Sequence, residues 1–203
     1  MAYLVLVRHT ESVWNKKGLW TGWTDIDLDE VGKNAARKVG SMLKDISFNL
    51  YFTSPLKRAK NTLVGILEEL GKGDEQILEN DALKERNYGE FTGKNKWEIR
   101  EKIGEEEFLR IRRGWNVPIR NGESLKDVYQ RVVPFYEEQI LPKLKEGKNI
   151  LIVSHGNNLR ALVKYLENIA DSDISNLEIP TGEIIIYQMD TNGKILSKQI
   201  KKC

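Results

Sequence analysis

The chain has 203 residues, long enough to bury one substantial core and too short for two full-sized independent domains. Hydrophobic residues at 40% and charged ones at 31% place it among ordinary soluble globular proteins, outside the disordered and membrane ranges. With 32 basic against 30 acidic residues the net charge is only +2, so no global field points to nucleic acid or an anionic membrane, and any anion preference has to come from local clusters.

Tyr3 to Val7 is a continuous apolar run stopped at once by Arg8 and His9, which reads as a strand covered on both faces and not as a leader. Val31 to Leu43, with Val31, Ala35, Val39 and Leu43 four apart, predicts an amphipathic helix. Leu50 to Thr53 follows as a weaker strand, completing a βαβ unit. Ser54-Pro55 reads as an N-cap with proline at the first helical position, opening a helix through Leu67. Leu83 to Glu123 is polar and charged, with one helical piece near Trp97 to Arg113, and is expected to form a lid or subdomain. Ser124 with Asp127 predicts a capping box for a helix to about Leu144, which Pro134 should kink and Pro142 should end early. Asn149 to Ser154 is a second continuous apolar strand, ending at His155, with a helix from Asn158 to Glu167 behind it. Glu183 to Met189 and Lys194 to Ile200 predict a hairpin turned at Asn192-Gly193.

Strands alternating with helices predict an α/β fold of three layers, a mostly parallel sheet flanked by helices on both faces, as one domain over residues 1–203. Such sheets bind ligands at the carboxyl ends of their strands. No stretch approaches the eighteen or so apolar residues of a membrane span, and the single cysteine, Cys203, fits a reducing compartment; a cytoplasmic protein is expected.

Only two histidines occur, His9 and His155, and each follows a predicted buried strand, which argues for one shared site. Arg8, Arg58 and Arg86 add guanidinium groups, which bind phosphate oxygens as a fork and stay charged at any working pH. A neutral imidazole among such arginines can take a phosphoryl group and pass it on, while the arginines neutralise charge on the equatorial oxygens. This scheme requires no metal. The rival metal site, with Glu11 and Glu85, lacks both an i, i+4 histidine pair and a cysteine cluster. Taken alone, Lys96, Arg112 and Arg113 read as a solvated face, and Trp14, Trp20, Trp23, Trp97 and Trp115 as packing residues.

The strings LVRHTESVWN, TGWTDIDL, SPLKRAKNT, LKERNYGEFTG, IRRGW, NGESL and VSHGNNLRALVKYL cover nearly the whole chain, and together they resemble the cofactor-dependent phosphoglycerate mutases. The RH pair and the SHG element are shared by the wider histidine phosphatase superfamily. The resemblance implies that His9 becomes phosphorylated and that Glu85 is general acid and base for the substrate hydroxyl. It places Arg8, Arg58 and His155 around the transferring phosphoryl group and brings Asn15 to the same phosphate. Thr21, Gly22, Glu85, Tyr88, Lys96, Arg112, Arg113, Gly156 and Asn157 match positions that hold the rest of the bisphosphoglycerate or monophosphoglycerate.

The implied activity is interconversion of 3-phosphoglycerate and 2-phosphoglycerate through phosphohistidine, in glycolysis and gluconeogenesis. 2,3-Bisphosphoglycerate would be the priming cofactor, without a metal. The alternative within the superfamily is a histidine-type phosphomonoester phosphatase, against which the second cation set of Lys96, Arg112 and Arg113 speaks. Implied partners are small-molecule phosphoglycerates, with no nucleic acid and no membrane, and the resemblance leaves room for a homodimer. Two departures stand out. Thr10 replaces the usual glycine after the histidine, which requires a negative φ there, and the stretch from Arg113 to Glu123 is shortened.

Overall fold

Alternate residues of the first apolar run belong to different cores. Leu4 and Leu6 join Phe52, Ile150 and Ile152 on one side, and Val5 and Val7 join Tyr51, Leu151 and Val153 on the other. A strand that buries both faces carries no polar alternation, which is why these runs read as continuous. The computed structural model describes residues 1–203. In chain order it forms β1 (Ala2–Arg8), α1 (Val13–Lys16), α2 (Glu30–Met42), β2 (Leu50–Thr53), α3 (Lys57–Glu69) and β3 (Ile77–Glu79). There follow α4 (Lys96–Ile103), α5 (Glu105–Arg113), α6 (Leu125–Phe135), α7 (Leu141–Lys145), β4 (Ile150–Ser154), α8 (Gly156–Leu166), β5 (Ile184–Met189) and β6 (Ile195–Lys201).

The six strands form one sheet in the order β3-β2-β4-β1-β5-β6. The pairs β2–β3, β2–β4 and β1–β4 are parallel, whereas β5 runs antiparallel to β1 and pairs with β6 as the expected hairpin. β1 and β2 are therefore parallel but not adjacent, since β4 inserts between them. Val39 of α2, Leu43 just after it, and Leu63 and Ile66 of α3 cover one face, and Val128, Val132, Leu159 and Leu162 from α6 and α8 cover the other. No helix is long and apolar enough to cross a membrane.

Several local expectations change. The buried face of α2 is Gly32, Ala36, Val39 and Gly40, with Leu43 just beyond, so Val31 faces solvent. The two glycines decide this, because a Cβ at Gly32 would meet the Glu11 carbonyl at 2.0 Å and one at Gly40 would meet Ile66 O of α3 at 2.9 Å. Ser54 does not cap α3: the N-cap is Leu56, without a side-chain bond, because the Ser54 hydroxyl is turned to His155. The Ser124–Asp127 capping box forms. Pro134 lies inside α6, a π-turn over Tyr136–Ile140 follows, and Pro142 sits in the first turn of α7 instead of ending the helix. The single helical piece expected near Trp97 to Arg113 is two helices, parted at Gly104, whose φ of +83° suits glycine. Ile99, Phe108, Ile111, Val117 and Ile119 form a small core there with Tyr88 and Trp20, separate from the two that cover the sheet.

Candidate active site

Register brings the two histidines together. β1 and β4 pair Arg8 with Ser154, so His9 and His155 are the next residues of parallel neighbours, and the His9 N–H donates to Ser154 O at 2.8 Å. Their rings lie 5.0 Å apart, centroid to centroid, and both are buried. The Thr10 carbonyl lies 2.7 Å from His9 Nδ1 and can only accept, which puts the ring proton on Nδ1 and leaves the Nε2 lone pair free. Burial, followed by the charges of Arg58 and Arg8, holds the His9 pKa well below its ordinary value, so the imidazole is neutral at physiological pH. Burial and Arg58 do the same to His155.

Thr10 has no positive φ, as its side chain requires. Its N–H donates to Thr62 Oγ1 at 3.1 Å and its hydroxyl to Gly32 O at 2.8 Å, so the peptide that orients His9 is anchored to both α3 and α2.

Arg8 donates through Nη1 to Ile179 O (2.7 Å), and Arg58 through Nη2 to Gly22 O (2.7 Å) and Nη1 to Thr24 O (3.0 Å). Arg8 Nε, Arg58 Nε and His155 Nδ1 are buried without a partner in the chain. Three buried donors left over beside His9 are the complement of an oxyanion. Desolvation lowers Arg58 to about 10, against the pull of Glu85, and it remains a cation at neutral pH.

Glu85 enters from the loop after Leu83, and that loop is tied down carbonyl by carbonyl. Ala82 O accepts from Asn158 and Arg131, Leu83 O from Ser154 Oγ, and Glu85 O from Trp23 Nε1 and Arg131. One carboxylate oxygen, Oε1, accepts the Arg86 N–H (2.7 Å) and the Asn157 N–H at the start of α8 (3.1 Å). The other oxygen is left for proton exchange.

Two adjoining cavities share Arg8, Glu85, Tyr88 and Lys96. The inner one adds His9, Asn15, Thr21 and Arg58. The outer one adds Arg112, Arg113, Gly156 and Asn157, so of the residues that the resemblance places at the site only His155 and Gly22 line neither. Gly22 reaches the site through its carbonyl on Arg58, and His155 stands behind His9. Gly156 leaves room for the Arg8 guanidinium, whose Cζ would lie 3.3 Å from a Cβ there. Desolvation first, then Arg112 and Arg8, bring Lys96 down to about 8. Burial, then Glu85, push Tyr88 up to about 12, and its hydroxyl accepts from Asn157 Nδ2 at 2.6 Å.

Arg86 departs from expectation. It is buried away from both cavities and donates to the carbonyls of Glu123, Ile111 and Val117, so it ties the end of α5 to the segment that follows it and is no anion ligand. Arg160 and Glu178 line the outer cavity and were not singled out from sequence, and Trp20, read there as a packing residue, packs in the small core and also lines this cavity. Arg160 had a signal, a cation inside the apolar run LRALV. It donates to Asn157 Oδ1, Arg113 O, Leu177 O and Ile174 O, joining α8 to the end of α5. No three His, Cys, Asp or Glu side chains gather as a metal-ligand group.

Comparison with known proteins gives this geometry a family. The profile of the histidine phosphatase superfamily (branch 1) matches residues 4–200. A 2,3-bisphosphoglycerate-dependent phosphoglycerate mutase of Parvibaculum lavamentivorans is 45% identical over 199 residues, 97% of this chain and 95% of the relative. The chain belongs to the phosphoglycerate mutases of the histidine phosphatase superfamily. A second mutase, from Cytophaga hutchinsonii, is 45% identical over 191 residues, 94% of this chain and 89% of that one. The near-complete match in both directions with the Parvibaculum mutase means that the two have similar lengths, so a compact form is not peculiar to this chain. The fold is also that of a mycobacterial glucosyl-3-phosphoglycerate phosphatase complexed with VO3, with a TM-score of 0.83 at 21% identity, covering 100% of this chain and 98% of that one.

Proposed function

We infer that this phosphoglycerate mutase interconverts 3-phosphoglycerate and 2-phosphoglycerate through a phosphorylated His9. The observation that carries this reading is the pair of adjoining cation-lined cavities with Glu85 at their junction. A small molecule with a phosphate in the inner cavity and a second anionic group among Lys96, Arg112 and Arg113 brings its middle oxygen to Glu85. A simple phosphatase has no need of that second set of cations.

The residues present fit 2,3-bisphosphoglycerate, because Arg8 and Arg58, each with a buried Nε lacking a partner, line the inner cavity and Lys96, Arg112 and Arg113 line the outer one. When bound, it supplies the first phosphoryl group. His9 Nε2 attacks phosphorus, the bond from phosphorus to the ester oxygen breaks, and Glu85 gives that oxygen a proton. Arg8 and Arg58 neutralise the equatorial oxygens during transfer. For the return step Glu85 takes the proton of a glycerate hydroxyl, which attacks the phosphoryl group on His9 as the P–N bond breaks. The outer cations keep hold of the glycerate while it reorients, and residues 83–123, with Arg112 and Arg113 at the end of α5, act as the lid.

The test is incubation of the protein with bisphosphoglycerate labelled in its phosphoryl groups. Label should enter at His9, survive alkali and leave in acid, and His9→Ala should take up none. Uptake by His9→Ala at the wild-type level removes His9 as nucleophile. Phosphate release as fast as isomerisation makes the protein a phosphatase instead.

A further inference from the structure

Three consecutive residues turn their oxygens toward three arginines of the outer cavity. Leu177 O accepts from Arg160 Nε at 2.9 Å and Arg113 Nη1 at 3.5 Å, the Glu178 carboxylate from Arg113 Nη2 at 2.5 Å, and Ile179 O from Arg8 Nη1 at 2.7 Å. A neutral carbonyl orients a guanidinium and leaves its charge available. A carboxylate competes for that charge. Of the two anionic side chains lining the outer cavity, Glu85 has a task in proton exchange and Glu178 has none.

An anion lining a pocket for anions works against its ligand through simple Coulomb repulsion. The position of Glu178 shows what it does instead. Arg113 is the last residue of α5, its side chain 18% exposed, and Glu178 stands at the rim, 57% exposed, where the pair can part without unfolding anything. Partial burial pushes the Glu178 carboxyl up, but the bond from Arg113 and the charges of Arg113, Arg112 and Arg8 outweigh it and keep the group ionised.

We propose that Glu178 is a specificity-determining residue: it stands in for the anionic far end of the substrate on Arg113, and only a ligand with a strongly anionic group there takes the arginine from it. This rests on reading the outer cavity as the subsite for that far end. The apparent affinity of a ligand falls in proportion to the fraction of molecules in which its partner is free. Because an exposed ion pair is worth little, the competition is modest, on the order of two- to fivefold.

The experiment measures binding of 3-phosphoglycerate, without bisphosphoglycerate, to the full chain by calorimetry. It compares wild type, Glu178→Gln, Arg113→Ala and the double variant, and adds KM and kcat for the isomerisation. Glu178→Gln should bind about two- to fivefold tighter, with KM falling by a similar factor and no matching rise in kcat. In the Arg113→Ala background the same substitution should change affinity less than twofold. Equal or weaker binding by Glu178→Gln overturns the proposal. An equal gain with and without Arg113 also overturns it, since Glu178 is then a general negative charge. If wild type itself fails to bind 3-phosphoglycerate, both the functional reading and the role of Glu178 fall, whereas failure in the variants alone sinks only the latter.

Discussion

Ser54 Oγ lies 2.7 Å from Nε2 of His155, with both side chains fully buried. With the hydroxyl donating, the ring proton stays on Nδ1, the one nitrogen of His155 without a partner in the chain and the one able to donate to a phosphoryl oxygen. In the proposed reaction Ser54 would act through His155, as a positioning residue. Ser54→Ala should slow phosphorylation of His9 by roughly ten- to a hundredfold, the range for a lost buried hydrogen bond that leaves a group unsatisfied. Nitrogen NMR should find His155 protonated on Nδ1 in wild type and mixed between the two nitrogens in the variant. An unmixed Nδ1 proton in Ser54→Ala would remove Ser54 from this role.

Glu85 is held through Oε1 by two backbone N–H groups, so the amide of Glu85→Gln should keep the position and lose the proton. Turnover is expected to drop by about a hundred- to ten-thousand-fold, the usual contribution of a general acid or base, with a much smaller change in KM. A raised KM at unchanged kcat makes Glu85 a binding residue.

Lys96, at about 8, titrates just above neutrality, and its charged form is the one that holds an anion. As pH rises through 8 the ammonium is lost, so KM for phosphoglycerate should climb above that pH, approaching tenfold per pH unit. Lys96→Arg stays charged and should flatten the climb. A profile equally steep in the arginine variant assigns the titration to another group.

Thr10→Gly separates stability from chemistry. It removes the hydroxyl bond to Gly32 O and adds freedom to the unfolded chain, together about 1 to 2.5 kcal/mol, while the Thr10 carbonyl that orients His9 is backbone and remains. For a chain of this size the melting temperature should fall by about 3 to 10 °C. Turnover per folded molecule should fall less than tenfold. A collapse of turnover without loss of stability would mean that the hydroxyl network sets the His9 geometry.

The central strands β1 and β4 were legible because a doubly buried strand has an unmistakable composition, and the two histidines announce themselves by following such strands; the three-residue edge strand β3 and the insertion of β4 between β1 and β2 were not. Features that depend on what packs where were not. Ser54 carries every mark of an N-cap and is diverted by a histidine that sequence places 101 residues away. Arg86, next to Glu85, looked like a phosphate ligand, yet carbonyls of Ile111, Val117 and Glu123 surround it. Gly104 divides a helix that periodicity runs together, since apolar spacing continues across the break. Glu178 sits in a polar loop, and nothing local to it says that Arg113 ends a helix facing it.

Arg8 Nε, Arg58 Nε and His155 Nδ1 are donors that the chain buries and does not satisfy. An anion that supplies them binds the folded chain and not the unfolded one. At a hundred times its Kd, such a ligand adds about 2.7 kcal/mol to the free energy of unfolding. Resistance to heat and to proteolysis should therefore rise and fall with the size of the phosphoglycerate pool. The half-life of the protein in the cell would report on the metabolite it turns over, even in molecules not turning it over at that moment.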